Sequence, residues 1–278
     1  MLIDTHCHIA LMIGKDNEIL FSDHDMQAIA EMLDTMIKNG VGTCITIGTT
    51  TLSSQAALCI AKNFQAVYAA VGIHPNDIAD SWRKDIVELD KLIIENKDSG
   101  KLVAIGECGL DYHYQPFDKE AQKELFCAHI ELAIKHQLPL IVHSRDAIQD
   151  TIDVIDRYKS DDRYKKEDLR GVMHCFSENA EYAKEVVDRG FVLGIGGAVT
   201  YPKNEYLRDV VRAVGIDAIV LETDAPYLAP QGYRGKPNTP AYIPIIAQEI
   251  ARVLQMDVAA VAAITTKTVE RIFGIVLE

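Results

Sequence analysis

Short, nearly unbroken apolar runs alternate along this chain with longer stretches in which apolar residues recur every three or four positions. The short runs are "LIDTH" (2–6), "GTCITIG" (42–48), "AVYAAVGIH" (66–74), "KLVAIGE" (101–107), "LPLIVH" (138–143), "GVMHCF" (171–176), "GFVLGIGG" (190–197) and "AIVLETD" (218–224), eight in all. Such continuous hydrophobicity marks parallel strands covered on the outside, whereas strands with one wet face alternate apolar and polar residues. The intervening stretches, such as "HDMQAIAEMLDTMIKNG" (24–40) and "KEAQKELFCAHIELAIKHQ" (119–137), have the spacing of amphipathic helices. Asn39 and Gly40 supply a helix stop for the first. Eight strands alternating with helices predict an α/β fold, a closed (β/α)8 TIM barrel forming one domain over residues 1–278. A doubly wound open sheet is the alternative. No Pro/Gly/Ser-rich linker divides the chain, and the mixed charge run "KSDDRYKKED" (159–168) reads as a solvated loop or helix end.

With 48% apolar residues, a chain of this length can build a sizeable core. Its formal net charge of -13 argues against coating nucleic acid, which needs many Lys and Arg contacts to phosphate. A metal-centred site accepting one strand end stays open. The six cysteines lack CxxC spacing and suit free thiols in a reducing compartment. No signal-peptide pattern begins the chain and no 18-residue apolar run occurs, so the expectation is a cytoplasmic monomer with no membrane partner.

The chemistry-bearing residues collect at the strand ends. His6 and His8 close the first run, one residue apart, and strand alternation points them the same way. An HxH pair alone is weak, because buried imidazoles usually satisfy themselves without metal. Yet His74 ends the third run, Glu107 the fourth and His143 the fifth; His174 lies in the sixth and Asp224 ends the eighth. Active sites of barrels are built on this face. Three or four imidazoles with two carboxylates suit Zn²⁺, Mn²⁺ or related ions, and six ligands exceed what one tetrahedral ion uses. Two ions sharing a carboxylate is the simplest arrangement, with Glu107, midway around the ring, as the bridge. The bland alternatives are a capping or ion-pair role for Glu107 and a turn role for His74 before Pro75.

Taken together, "DTHCHI" (4–9), "VGIHP" (71–75), "GECGLDY" (106–112), "LPLIVHSRDA" (138–147), "HCFS" (174–177), "GIGGAVTYPKN" (194–204), "LETDAPYLAP" (221–230) and "RGKPNTP" (234–240) resemble the TatD family of metal-dependent deoxyribonucleases, within the amidohydrolase-like barrels. The likeness runs in order over essentially the whole chain. It implies one ion on His6, His8, Glu107 and Asp224, and a second on Glu107, His143 and His174. It also implies a 3′-5′ exonuclease acting on single-stranded DNA ends and in some members on RNA, with Mg²⁺ or Mn²⁺ supporting activity and Zn²⁺ an alternative ion. Thr239 and Pro237 in the last motif and His113 after "GLDY" depart from common family residues, which bears on end or sequence preference and touches no ligand.

Within that reading, Asp224 is the proton acceptor as well as a ligand, and Asp4 is either a partner fixing a histidine tautomer or a buried structural carboxylate. Arg145, two residues past His143, suits a pair of phosphate oxygens, its bland alternative being an ion pair with Asp146 or a neighbouring helix. His74, Arg234, Lys236 and Asn238 are candidates for holding the strand backbone or terminal sugar, and Tyr112, His113, Tyr201 and Tyr227 for base stacking. The rival enzyme reading keeps the metals and changes the substrate to a small-molecule amide or lactone, an RNA or an aminoacyl-tRNA ester. A different class altogether is a partner-binding barrel that has kept its site without catalysis.

Overall fold

A computed structural model describes residues 1–15, 18–164 and 168–275. Each apolar run supplies one strand: β1 (Leu2–Cys7), β2 (Val41–Ile47), β3 (Val67–Val71), β4 (Leu102–Asp111), β5 (Leu140–Arg145), β6 (Gly171–Met173), β7 (Phe191–Ile195) and β8 (Ile219–Leu221). They pair in parallel in sequence order. The ring closes where Cys7 bridges Ala225, with His8 N donating to Ala225 O and Asp224 N to His6 O, both at 2.8 Å. The fold is therefore a (β/α)8 barrel, and the open-sheet alternative falls away.

Ten helices surround the strands among the described residues: α1 (Ile9–Met12), α2 (Asp23–Lys38), α3 (Thr51–Asn63), α4 (Trp82–Asn96), α5 (Lys119–His136), α6 (Ile148–Ser160), α7 (Ala180–Asp188), α8 (Glu205–Val214), α9 (Ile243–Leu254) and α10 (Val258–Phe273). Local chemistry sets their ends. Ser22 and Asp25 form a capping box that starts α2, and Gly40, at φ 84°, takes the left-handed turn that ends it after Asn39. The charge run begins in the last turn of α6 and continues as a turn through Tyr164; residues 165–167 of it lie outside the described residues. No described helix is long and apolar enough to cross a membrane.

Several strand boundaries differ from the sequence reading; β3 stops at Val71 and β8 at Leu221, three residues before His74 and Asp224. β4 continues four residues past Glu107 to Asp111, β5 continues past His143 to Arg145, and β6 stops at Met173, just before His174. Pairing between β4 and β5 resumes beyond a register shift at Ile105–Cys108, so hydrogen bonding, which apolar runs do not report, extends both strands. All eight strands contribute to one buried cluster, which includes Ile3, Ile45, Ala70, Ile141, Val172 and Val220, and a larger shell packs between strands and helices. Val269, Ile272, Phe273 and Ile275, in and just beyond α10, join the inner cluster and seal the lower end of the barrel. The upper end is left to polar side chains.

Candidate metal centre

Around Glu107, at the upper end, the other five ligand candidates meet together with His74. The Nε2 atom of His6 lies 3.4 Å from Glu107 Oε2 and 3.8 Å from Asp224 Oδ1. For His8 Nε2 the same distances are 4.0 and 3.4 Å. The two imidazole nitrogens are 3.3 Å apart. Glu107 Oε1 faces the other way, toward His143 Nδ1 at 3.0 Å, His74 Nε2 at 3.6 Å and His174 Nε2 at 3.8 Å. His174 also reaches Asp224 Oδ1 at 3.9 Å, so it stands between the two halves.

Backbone chemistry explains how Glu107 comes to the middle. Gly106 and Gly109 flank it at φ 150° and 137°, and a Cβ at either would collide with the β5 backbone at Ile141 or His143. Glycine at both positions lets β4 press against β5 while turning the carboxylate inward. Asp224 sits in the left-handed region at φ 56°, a conformation that Asp tolerates better than most residues. It is held there from both sides: its own N–H donates to His6 O, and the preceding Thr223 is clamped by Asp4.

That clamp decides the role of Asp4. Its Oδ1 accepts from Thr223 N at 2.9 Å and His6 N at 3.2 Å, and its Oδ2 from Thr223 Oγ1 at 2.5 Å. No histidine ring is among these partners, so of the two readings the buried structural carboxylate holds. Burial outweighs the hydrogen bonds from Thr223 and His6 and pushes its pKa up to about 7. Because the folded value is raised above the ordinary 3.8, the stabilisation is complete below 3.8 and is lost as pH rises through about 7. Asp4→Asn, whose amide can donate to Thr223 Oγ1, is expected to remove about 2–3 kcal/mol of the decline between roughly pH 5 and pH 8. Urea unfolding of metal-free wild type and variant at both values checks this; parallel declines would refute it.

The partners that orient histidines are residues the sequence reading passed over. Glu222 Oε1 lies 3.0 Å from His174 Nδ1 and accepts from Cys175 N at 2.6 Å. Asp111 Oδ2 lies 3.0 Å from His143 Nε2 and accepts from Asn76 Nδ2 at 3.0 Å. Strand alternation contained the signal for Asp111, four residues beyond Glu107 on β4, whereas Glu222 and Asp224 lie past the end of β8.

Charge at the centre follows from these contacts. Burial alone would raise Glu107, but His74, His174 and His6 hold it well below the usual carboxylate range. Burial opposes a charge on His174, yet Glu222 and Glu107 push it up to about 10. His74 goes the other way: burial pulls it down to about 4. Its Nδ1 accepts the Asn76 N–H at 3.1 Å, so the neutral ring carries its proton on Nε2, the atom facing Glu107.

The candidate substrate residues divide. Arg145 is half-buried at the end of β5, its Nη1 donating to Tyr114 Oη at 3.1 Å and its guanidinium 5.0 Å from the Tyr114 ring centre. Its partner is thus a tyrosine the sequence reading omitted, and no ion pair to Asp146 forms; Asp146 pairs instead with exposed His113 at 2.9 Å. Arg234 and Lys236 are exposed, Arg234 stacking on Tyr201 at 4.6 Å. Tyr227 is 54% exposed, its ring edge-on to His8 at the mouth. Two residues are committed elsewhere. Asn238 is buried and donates to the carbonyls of Thr223 and Tyr227 at 2.8 and 2.7 Å, so its carboxamide fixes the loop after β8. Tyr112 stacks on Phe117 and donates its hydroxyl to Asp150, which removes it from the base-stacking candidates. The Tyr201 hydroxyl likewise donates to Ala229 O.

Four imidazoles each come within about 4 Å of Glu107 or Asp224, and His6 Nδ1, His174 Nδ1 and Glu222 Oε2 are buried here without a well-formed hydrogen bond among the described residues. Mixed nitrogen and oxygen donors turned toward one another form a set that suits a divalent cation. Comparisons with known proteins agree. Residues 3–274 match the family described as TatD related DNase. The uncharacterized metal-dependent hydrolase YabD of Bacillus subtilis (strain 168) is 34% identical over 275 residues, covering 99% of this chain and 100% of that protein. The 3′-5′ ssDNA/RNA exonuclease TatD of Citrobacter rodentium (strain ICC168) is 32% identical over 262 residues, covering 92% and 94%. The crystal structure of the TatD homolog YjjV from Escherichia coli superimposes with a TM-score of 0.85 at 27% identity, covering 99% of this chain and 98% of that one. With its barrel closed, its histidines and carboxylates gathered around Glu107 and its whole length matched, the chain belongs to the TatD family of metal-dependent hydrolases.

Proposed function

We propose that this chain, acting as a single-domain monomer in the cytoplasm, hydrolyses phosphodiester bonds at the 3′ end of single-stranded DNA, with RNA as a second substrate. The observation that carries this reading is the two-sided Glu107 carboxylate, one oxygen toward His6, His8 and Asp224 and the other toward His143 and His174. That arrangement suits two divalent ions, Mg²⁺ or Mn²⁺ in activity and Zn²⁺ as the alternative. Its similarity to the exonuclease of Citrobacter rodentium supports the substrate class.

Divalent ions held by His6, His8, Glu107, His143, His174 and Asp224 would lower the pKa of water and neutralise charge developing on the phosphate. Asp224 accepts the proton of the attacking water. His74, neutral at working pH, turns its Nε2–H toward the Glu107 carboxylate and stands beside the place of a phosphate oxygen. Arg145, steadied on Tyr114, offers its planar fork to two further oxygens. Exposed Arg234 and Lys236 hold the backbone, and Tyr227 and His113 lie beside the mouth for the terminal bases.

A net charge of -13 gains little from a long phosphate track, so capture is confined to the few residues around the mouth. Linear single-stranded DNA labelled at its 3′ end is expected to release mononucleotides, while a closed circle of the same sequence stays intact. Rapid cutting of the circle would overturn exonuclease action. Arg145→Ala is expected to raise KM for linear DNA by about tenfold, with kcat nearly unchanged and metal content equal to wild type, because the contact is made in ground and transition states alike. A fall in kcat at constant KM would move Arg145 into the chemical step.

A further inference from the structure

The chain leaves strand pairing at Val71, the end of β3, and reaches His74 three residues later. Each backbone N–H of that link is held from a different place. Gly72 N donates to Ser54 Oγ at 3.1 Å, Ile73 N to His129 Nε2 at 3.0 Å and His74 N to Thr49 O at 2.8 Å. His129 lies on α5, the farthest of the three along the chain, and is wholly buried. An N–H can only donate, so Nε2 is the acceptor and the single proton of the ring sits on Nδ1, which donates to Leu125 O at 2.8 Å. Burial pulls the His129 pKa down to about 4, which keeps the ring neutral and the acceptor in place. Its partners Ile73 and Leu125 pack in one apolar cluster with Trp82, where an aliphatic side chain would fill the space equally well; what the imidazole adds is the acceptor. On its other side the link lies directly on the backbone that carries the bridging carboxylate. A Cβ at Gly72 would come within 2.5 Å of Gly106 C and 2.7 Å of Glu107 O.

We infer that His129 is a positioning residue: by accepting the Ile73 N–H it fixes the peptide leading into His74, and so sets where the His74 ring stands against Glu107. Without the acceptor the Ile73 N–H is buried and unpaired, and it regains a partner only if the link moves. His74 moves with it, because its N–H contact to Thr49 O and its Nδ1 contact to Asn76 N belong to the same short stretch. The tight fit at Gly72 blocks movement toward β4, so the ring is displaced away from Glu107 Oε1, which its Nε2 now faces at 3.6 Å. The effect on rate rests on the hydrolytic reading of the centre. The effect on the ring does not.

The test uses the full chain, first without metal. The Ile73 amide of wild type is expected to be protected from hydrogen exchange, and fast exchange there would overturn the inference with no variant needed. His129→Leu keeps the bulk and removes the acceptor. His129→Asn is too short to reach Ile73 but keeps a donor for Leu125 O, and it takes over should the leucine variant not unfold cooperatively. His129→Gln brings a carboxamide oxygen to the place of Nε2. In histidine-labelled protein followed by nitrogen NMR, the His74 ring signals are expected to shift in His129→Leu and His129→Asn and to return toward wild type in His129→Gln, while those of His6 on β1 stay. With metal restored, kcat/KM for linear single-stranded DNA is expected to fall by about tenfold in His129→Leu, as for a small misplacement of a group at the site. Added to His74→Ala, the same change is expected to cost nothing further, because the two residues act as one unit. Unmoved His74 signals in a folded variant lacking the acceptor, equal movement at His6, or losses that multiply independently would overturn the role of His129. If the chain cleaves no DNA, the nuclease reading fails and the ring signals alone decide.

Discussion

Glu107→Ala is expected to bind neither ion firmly and to lower DNA hydrolysis by about 10³-fold or more, a loss of several kcal/mol of charge stabilisation. Every other donor at the centre reaches toward this carboxylate or toward Asp224 beside it. Without it, Asp224 still stands beside His6, His8 and His174, but the carboxylate oxygen that joins His143 to them is gone. Glu107→Gln is the sharper probe. It keeps the size and one acceptor oxygen but presents an amide NH₂ to the other half, so about one ion per chain is expected to remain instead of two. Metal content after exchange into limiting Mn²⁺, measured beside single-turnover cleavage, checks both variants. Two ions in Glu107→Ala, with cleavage intact, would remove the bridge from the mechanism.

Asp224→Asn is expected to retain metal in part while hydrolysis falls by about 10²-fold or more, within the range for loss of a general base. The carboxylate is held low because His8 donates to it and His174 and His6 add positive potential, outweighing burial. A depressed pKa keeps it ionised and ready as a ligand and limits its basicity, so its usefulness as a base rests on position. Asp224→Ala should lose ion as well as rate. Near-normal cleavage by metal-loaded Asp224→Asn would leave Asp224 as a ligand and assign the proton elsewhere. Because Asp224 has a left-handed backbone, Asn is also the substitution least disturbing to the loop, which separates a chemical defect from a folding one.

Much of this was readable from local pattern. Buried parallel strands are apolar throughout, so all eight strands declared themselves. The direction of His6 and His8 followed from a two-residue spacing on an extended segment. Placement of Glu107, His143, His174 and Asp224 near the ends of their runs put them on one rim.

What only the tertiary structure decided depends on contacts between residues far apart in the chain. Asp4 binds Thr223 across 219 positions because β1 and β8 close the ring, and that closure turned a candidate tautomer-setting group into the clamp behind Asp224. Asn238 and Tyr112 stand in motifs that suggest substrate contact, yet loop packing has engaged their polar atoms with Thr223, Tyr227 and Asp150. Arg145 found Tyr114 rather than an acid. Periodicity along a chain specifies which face a side chain takes, a property of a few neighbouring dihedral angles. Which group it meets there is set by how eight strands are sheared and closed, and so the sequence by itself determined the barrel and the rim of histidines and carboxylates, while the folded chain determined which oxygen of Glu107 faces which histidine.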